Sequence, residues 1–202
     1  MRSHHLILSA SLLLAGGCKQ HPLMDYRPLD QAGMGSSTIE QLKPLNISDR
    51  EVQQLVNLKH SSVTDDTCVA LVSAARGHNH PFASSEPVAS LLGARYTESD
   101  ILGFARADKL DTISGDAVML RLIGLSDSTV QAVLQRDLQG QSTLSSAAIG
   151  RLKNTGLTEK QILERINGGM TDEQAEKEAG LREAVRNHAH TDFVRARGRK
   201  PR

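Results

Sequence analysis

The chain contains no tryptophan, two tyrosines, three phenylalanines and two cysteines among 202 residues. With aromatics at 2%, it has few rings on which sugars or unstacked bases could lie, so binding by stacking is disfavoured. Two cysteines exclude a disulfide scaffold. Neither sign of charge dominates: 24 Lys+Arg stand against 23 Asp+Glu, a formal net charge of +1. That balance supplies no global attraction to nucleic acid. No apolar run reaches the roughly 20 residues that span a bilayer, which excludes a multi-span membrane protein. The 16 glycines follow no collagen-like period. What remains, with 39% hydrophobic and 23% charged residues, is the composition of a globular chain.

What is present begins with an address. Met1-Arg2-Ser3-His4-His5 precedes an apolar stretch from Leu6 to Ala15, then Gly16-Gly17-Cys18. A cationic start, about ten apolar residues and small residues before a cleavage point have the form of a secretory signal. The segment Ala15-Gly16-Gly17-Cys18 resembles the lipobox of bacterial lipoproteins. That resemblance implies removal of residues 1–17, diacylglycerol on the Cys18 sulfur and an acyl chain such as palmitate on its amine. Two or more chains hold a protein stably to a membrane. It further implies a place in the cell envelope, facing the periplasm in a two-membrane cell. Lys19, standing where an aspartate would retain the protein in the inner membrane, points to the outer one. The alternative is an ordinary cleaved signal with an incidental cysteine.

Residues 18–45 have the composition of a flexible tether. Pro22, Pro28, Pro44, Gly33, Gly35 and Ser36-Ser37 interrupt any period, and such a stretch buries little apolar surface. Extended, it would reach roughly 80 Å. A short helical turn fits around Thr38 to Leu42.

From residue 46 one pattern recurs. An apolar residue precedes Ser or Thr, and another apolar residue follows four positions after the hydroxyl. The instances are Ile47-Ser48…Val52, Val63-Thr64…Cys68, Tyr96-Thr97…Ile101, Ile113-Ser114…Val118, Leu125-Ser126…Val130, Leu144-Ser145…Ile149, Leu157-Thr158…Ile162 and Met170-Thr171…Ala175. The hydroxyl caps the open N–H groups of a helix start, and the flanking apolar pair forms a hydrophobic staple. Glu51, Asp100, Gln161 and Gln174 stand three after their caps, where they complete capping boxes. Ser85, with Pro87 near the first turn, is a weaker start. Apolar residues then recur at helical spacing, as in Val52, Leu55, Val56 and Val130, Val133, Leu134. Gly77, Gly93, Gly124, Gly140 and Gly156 mark helix ends.

The starts also keep a longer rhythm. Thr64, Thr97, Ser126 and Thr158 lie 33, 29 and 32 residues apart, and Ser85, Ser114 and Ser145 lie 29 and 31 apart. Two interleaved series near 30 residues suggest a two-helix repeat, which must stack on neighbours to bury its apolar face. Residues 144–166 read LSxxAIxxLKxxGLTxxxIxxxI. This resembles tandem helical-hairpin repeats of bacterial exported proteins of uncharacterised role, and carries no catalytic residue. The expectation for 46–170 is an all-α fold of short capped helices in stacked hairpins, as an irregular array or a compact helical globule. For 171–202 it is a polar helix, with a thin stripe of Ala175, Ala179 and Leu181, followed by a basic disordered tail.

Few residues invite chemistry. Cys68 is the second cysteine; it is either a redox thiol or, from its staple position, a small buried hydrophobe. His78-Asn79-His80 and His188-Ala189-His190 are two His-x-His clusters that would bind zinc or copper if they met; solvated polar residues are the default, and no metal or other cofactor is expected. The tail residues Arg195, Arg197, Arg199, Lys200 and Arg202 would attract anionic lipid or cell-wall polymer. No nucleophile elbow, phosphate-binding loop, paired zinc-cysteine motif or HExxH appears. The reading is a lipid-anchored, non-catalytic scaffold or protein-interaction module that binds no nucleic acid, with an envelope metal-binding protein or a cryptic hydrolase as alternatives.

Overall fold

Local capping chemistry sets where each helix begins. The computed structural model describes residues 24–198, with side chains through 188. Its helices are α1 (Arg27–Gln31), α2 (Ser36–Leu42), α3 (Asp49–His60), α4 (Asp65–Gly77), α5 (Glu86–Gly93), α6 (Glu98–Arg106), α7 (Leu110–Leu122), α8 (Asp127–Leu138), α9 (Ser146–Asn154), α10 (Glu159–Asn167) and α11 (Asp172–Gly198), with a 3-10 turn at Lys43–Leu45 after α2. No strand occurs among the described residues. Ser48 with Glu51, Thr97 with Asp100 and Thr158 with Gln161 form complete capping boxes. Thr64, Ser126 and Ser145 each accept from the N–H three residues on. The Thr171–Gln174 pair closes the same way at the start of α11.

The helix ends explain why the connections are short. Val63 N–H donates to Leu58 O, Tyr96 N–H to Leu91 O and Leu157 N–H to Leu152 O. Each follows a residue in the left-handed region: Ser62, Arg95 or Gly156. This is the six-to-one closure of a helix C-terminus. The same Val63, Tyr96 and Leu157 are the buried apolar residues that precede the next caps. One side chain thus seals one helix and staples the next.

Hairpin partners α3–α4, α5–α6, α7–α8 and α9–α10 touch, and so do next-but-one helices: α1–α3, α2–α4, α4–α6, α5–α7, α7–α9, α8–α10 and α9–α11. The next-but-one contacts thus run in two rows, α1–α3 and α5–α7–α9–α11 in the odd-numbered row and α2–α4–α6 and α8–α10 in the even-numbered one. A continuous apolar core runs between them, from Leu29 to Ala179. This is a stacked array of helical hairpins.

The 30-residue rhythm is written in hydrogen bonds. An acid at the start of one helix accepts from the backbone N–H of the residue that caps its counterpart one repeat earlier. Asp65 accepts from Gly35 (2.7 Å, 30 residues apart), Glu98 from Thr64 (3.2 Å, 34 apart), Glu159 from Ser126 (3.1 Å, 33 apart) and Asp172 from Ser145 (3.0 Å, 27 apart).

Three expectations are corrected. Residues 27–45 are not a tether. They form the first hairpin, with Leu29, Met34, Ile39 and Leu42 buried, because α1 packs on α3 and α2 on α4. Ser114 is not a cap. Asp108 closes α6 in the left-handed region, with Lys109 N–H donating to Phe104 O. Helix then resumes at Leu110, and Ser114 lies buried inside α7. The polar helix runs on into the stretch expected to be a disordered basic tail: its backbone stays helical to Gly198. Its stripe is narrower than expected, for Ala175 and Ala179 are buried and Leu181 is exposed.

Candidate functional site

The joint between α6 and α8 breaks the ladder. Asp127 opens α8 and stands where Glu98 and Glu159 stand in the neighbouring repeats, yet it pairs with Arg121 (2.9 Å). Thr97 N–H is satisfied within its own helix, by Asp100 (3.0 Å). Among the described residues no hydrogen bond crosses from α6 to α8, and the two helices are not in close packing.

A cleft of about 570 Å³ opens there. Tyr96 and Phe104 meet edge to face beneath it, their rings 6.0 Å apart. The Tyr96 hydroxyl donates to Ala117 O at 2.8 Å. Burial pushes the phenol above its ordinary pKa, with Arg121 opposing. The Arg121 guanidinium lies 4.3 Å from the centre of the Tyr96 ring, a cation–π contact. Its Nε is buried without a hydrogen-bond partner. Asp100 on one wall and Gln131 and Gln135 on the other offer donors and acceptors to the opening. The sequence pattern shows Tyr96 only as a staple; its role as a cleft floor depends on two helices being held apart.

The histidines do not converge. His78 and His80 stack 6.2 Å apart in the loop after α4. His78 Nε2 lies 3.0 Å from Arg106 O, and His80 Nε2 lies 2.8 Å from Asp108 Oδ1. His188 is exposed on α11, which packs on α9, far along the array. The side chain of His190 lies outside the described residues. Among the described residues no group of three or more His, Cys, Asp or Glu side chains is placed to hold a metal ion.

Cys68 is fully buried in α4, and burial pushes its thiol up to about 12. The core position expected from its staple register holds, and at neutral pH it is no thiolate nucleophile. Glu51 is more than a capping residue. It is buried at 2% exposure and accepts from Ser48 N, Arg76 Nη2 and Phe82 N, each at 2.8–2.9 Å. Burial raises its pKa, but Arg76, Ser48 and Phe82 together hold the carboxyl below its ordinary value. The capping box was legible three residues away; the link to Phe82, 31 residues on, left no local signal.

Cys18 and the residues of the leader lie outside the described residues, as do Arg199, Lys200 and Arg202. The side chains of Arg195 and Arg197 are likewise outside. No described helix is long and apolar enough to cross a membrane. Comparison of the chain with protein-family models, curated proteins and solved structures finds no match.

Proposed function

We propose that this protein is a non-catalytic scaffold or protein-interaction module, anchored in the cell envelope by lipid on Cys18. The observation that carries the reading is the cleft between α6 and α8. Stacked repeats present long surfaces to protein partners. Here the α6–α8 joint lacks the inter-repeat tie of its neighbours, and the exposed amides of Gln131 and Gln135 flank a cleft floored by the buried Tyr96 and Phe104 rings and the Arg121 guanidinium. Amides carry both donors and acceptors, which suits the backbone of an extended segment of a partner protein. The leader motif supports the anchor. With the first hairpin ordered from Arg27, only residues 19–23 and a few more would separate Cys18 from the array. At 3.3–3.6 Å per residue, the array would sit within about 30 Å of the bilayer.

The test is site-specific photo-crosslinking in the source cells, with the probe at Gln131 or Gln135 and, as control, at Lys160 on α10. One dominant partner from the cleft positions and none from the control is the expected result. No adduct above background from either cleft position would overturn the interaction reading. Separately, Cys18→Ser is expected to leave an uncut precursor or a released protein. Unchanged membrane retention and mobility would overturn the anchor.

A further inference from the structure

His80 stands between two acceptors. Its Nδ1 is 3.0 Å from Pro81 O and its Nε2 is 2.8 Å from Asp108 Oδ1. A neutral imidazole has one N–H and one bare lone pair, so it satisfies one contact and sets lone pair against lone pair in the other. The imidazolium donates to both. The charged groups around it favour that form. Asp108 at the α6–α7 corner and Asp111 at the start of α7 are the acids that act on it, and the Pro81 and Asp108 hydrogen bonds raise its pKa above the ordinary histidine value. The neighbouring cations are otherwise engaged. Arg76 of α4 donates to the His80 carbonyl (3.1 Å) and pairs with Glu51 of α3. Lys109 faces Asp137 of α8 at 3.9 Å. His78 is stacked alongside and reaches the Arg106 backbone.

These contacts tie the loop after α4 to the α6–α7 corner at the edge of a cavity of about 240 Å³. Leu71, Ala75, Phe82, Ala105 and Leu110 supply its apolar lining. We propose that His80 and Asp108 form a proton-operated latch, which ties residues 79–81 to the α6–α7 corner at the rim of this cavity at acid pH and loosens that tie when His80 loses its proton, while Phe82 stays anchored on Glu51. The sign follows from the geometry: the tie is complete while the imidazole is charged, and fails as pH rises through the folded pKa.

The experiment uses the full chain. NMR titration follows the His80 ring, and hydrogen exchange follows residues 79–84 at about pH 5.5 and about pH 8.5, corrected for intrinsic rates. His80 is expected to titrate above about 6.5, and protection of residues 79–81 to fall at the higher pH by the factor that the measured His80 pKa shift sets. Asp108→Asn keeps a residue that tolerates the left-handed backbone there. It is expected to lower the His80 pKa and flatten the pH dependence, while amides of α9 and α10 report that the fold persists. A His80 that titrates at or below the ordinary value, or loop protection equal at both pH values, would overturn the latch.

Discussion

Glu159, the first residue of α10, accepts hydrogen bonds from the backbone N–H and the hydroxyl of Ser126, the residue that caps α8, 33 residues earlier. The Ser126 and Thr129 hydroxyls and the Ser126 N–H, with Lys153 nearby, hold the Glu159 carboxyl down at about 2. Ser126 in turn caps Thr129 N–H. One cap therefore serves two helices of successive repeats.

Removing either partner should weaken the joint. Ser126→Ala is expected to cost about 0.5–2 kcal/mol. Glu159→Gln should cost about 1 kcal/mol, since the carboxylate is partly solvated. The double variant should show a coupling of at least about 0.5 kcal/mol in urea denaturation; strict additivity would count against the shared cap. Because the folded pKa is depressed, the Glu159 contribution is present above its unfolded value. It disappears as pH falls through about 4.3 toward about 2, so wild type and Glu159→Gln should converge in acid.

Glu51 presents a harder loss. Glu51→Ala leaves Phe82 N–H and the Arg76 guanidinium without the acceptor they share in a buried setting. The expected cost is about 3 kcal/mol, well above that of a lost surface cap. A midpoint shift no larger than that of Ser126→Ala would refute the hub role.

Cys68 should be silent in the folded protein. With its thiol at about 12 and no exposed surface, the thiolate fraction near pH 8 is about one in ten thousand. Alkylation monitored by mass spectrometry should wait for unfolding. Labelling of the native protein at the rate of a free thiol would show that the α4 core opens.

Several helical glycines have open space where a side chain would go, Gly103 and Gly115 among them. A Cβ at Gly103 in α6 or Gly115 in α7 would meet nothing within 4 Å. Alanine at either should stabilise by about 0.5–1 kcal/mol through lower unfolded-state entropy. Gly124, with φ +74°, should respond in the opposite direction, since alanine is strained there. Thermal midpoints of the three variants check both signs.

The helix starts were readable because a cap and its box residue are three positions apart, as in Ser48 and Glu51 or Thr158 and Gln161. The burial of Cys68 was readable from its register among the staples. The same local pattern misled at Ser114, since nothing near it announces that Asp108 turns left-handed and restarts the helix early. It failed again over 27–45, where Pro28 and Gly33 obscure a hairpin whose apolar residues become buried only against α3 and α4. The two His-x-His clusters look alike in sequence, yet His80 found Asp108 and His188 stayed exposed on α11.

The sequence by itself determined the all-α class, the capped helix starts and the repeat length, because each depends on residues within one turn or on a count between turns. The tertiary structure alone decided which repeats are tied and which joint stands open. Glu159 and Asp127 open their helices in the same way. Whether such an acid reaches back to a cap 33 residues earlier or turns to Arg121 beside it depends on how closely two helices approach, and that distance belongs to the packed array.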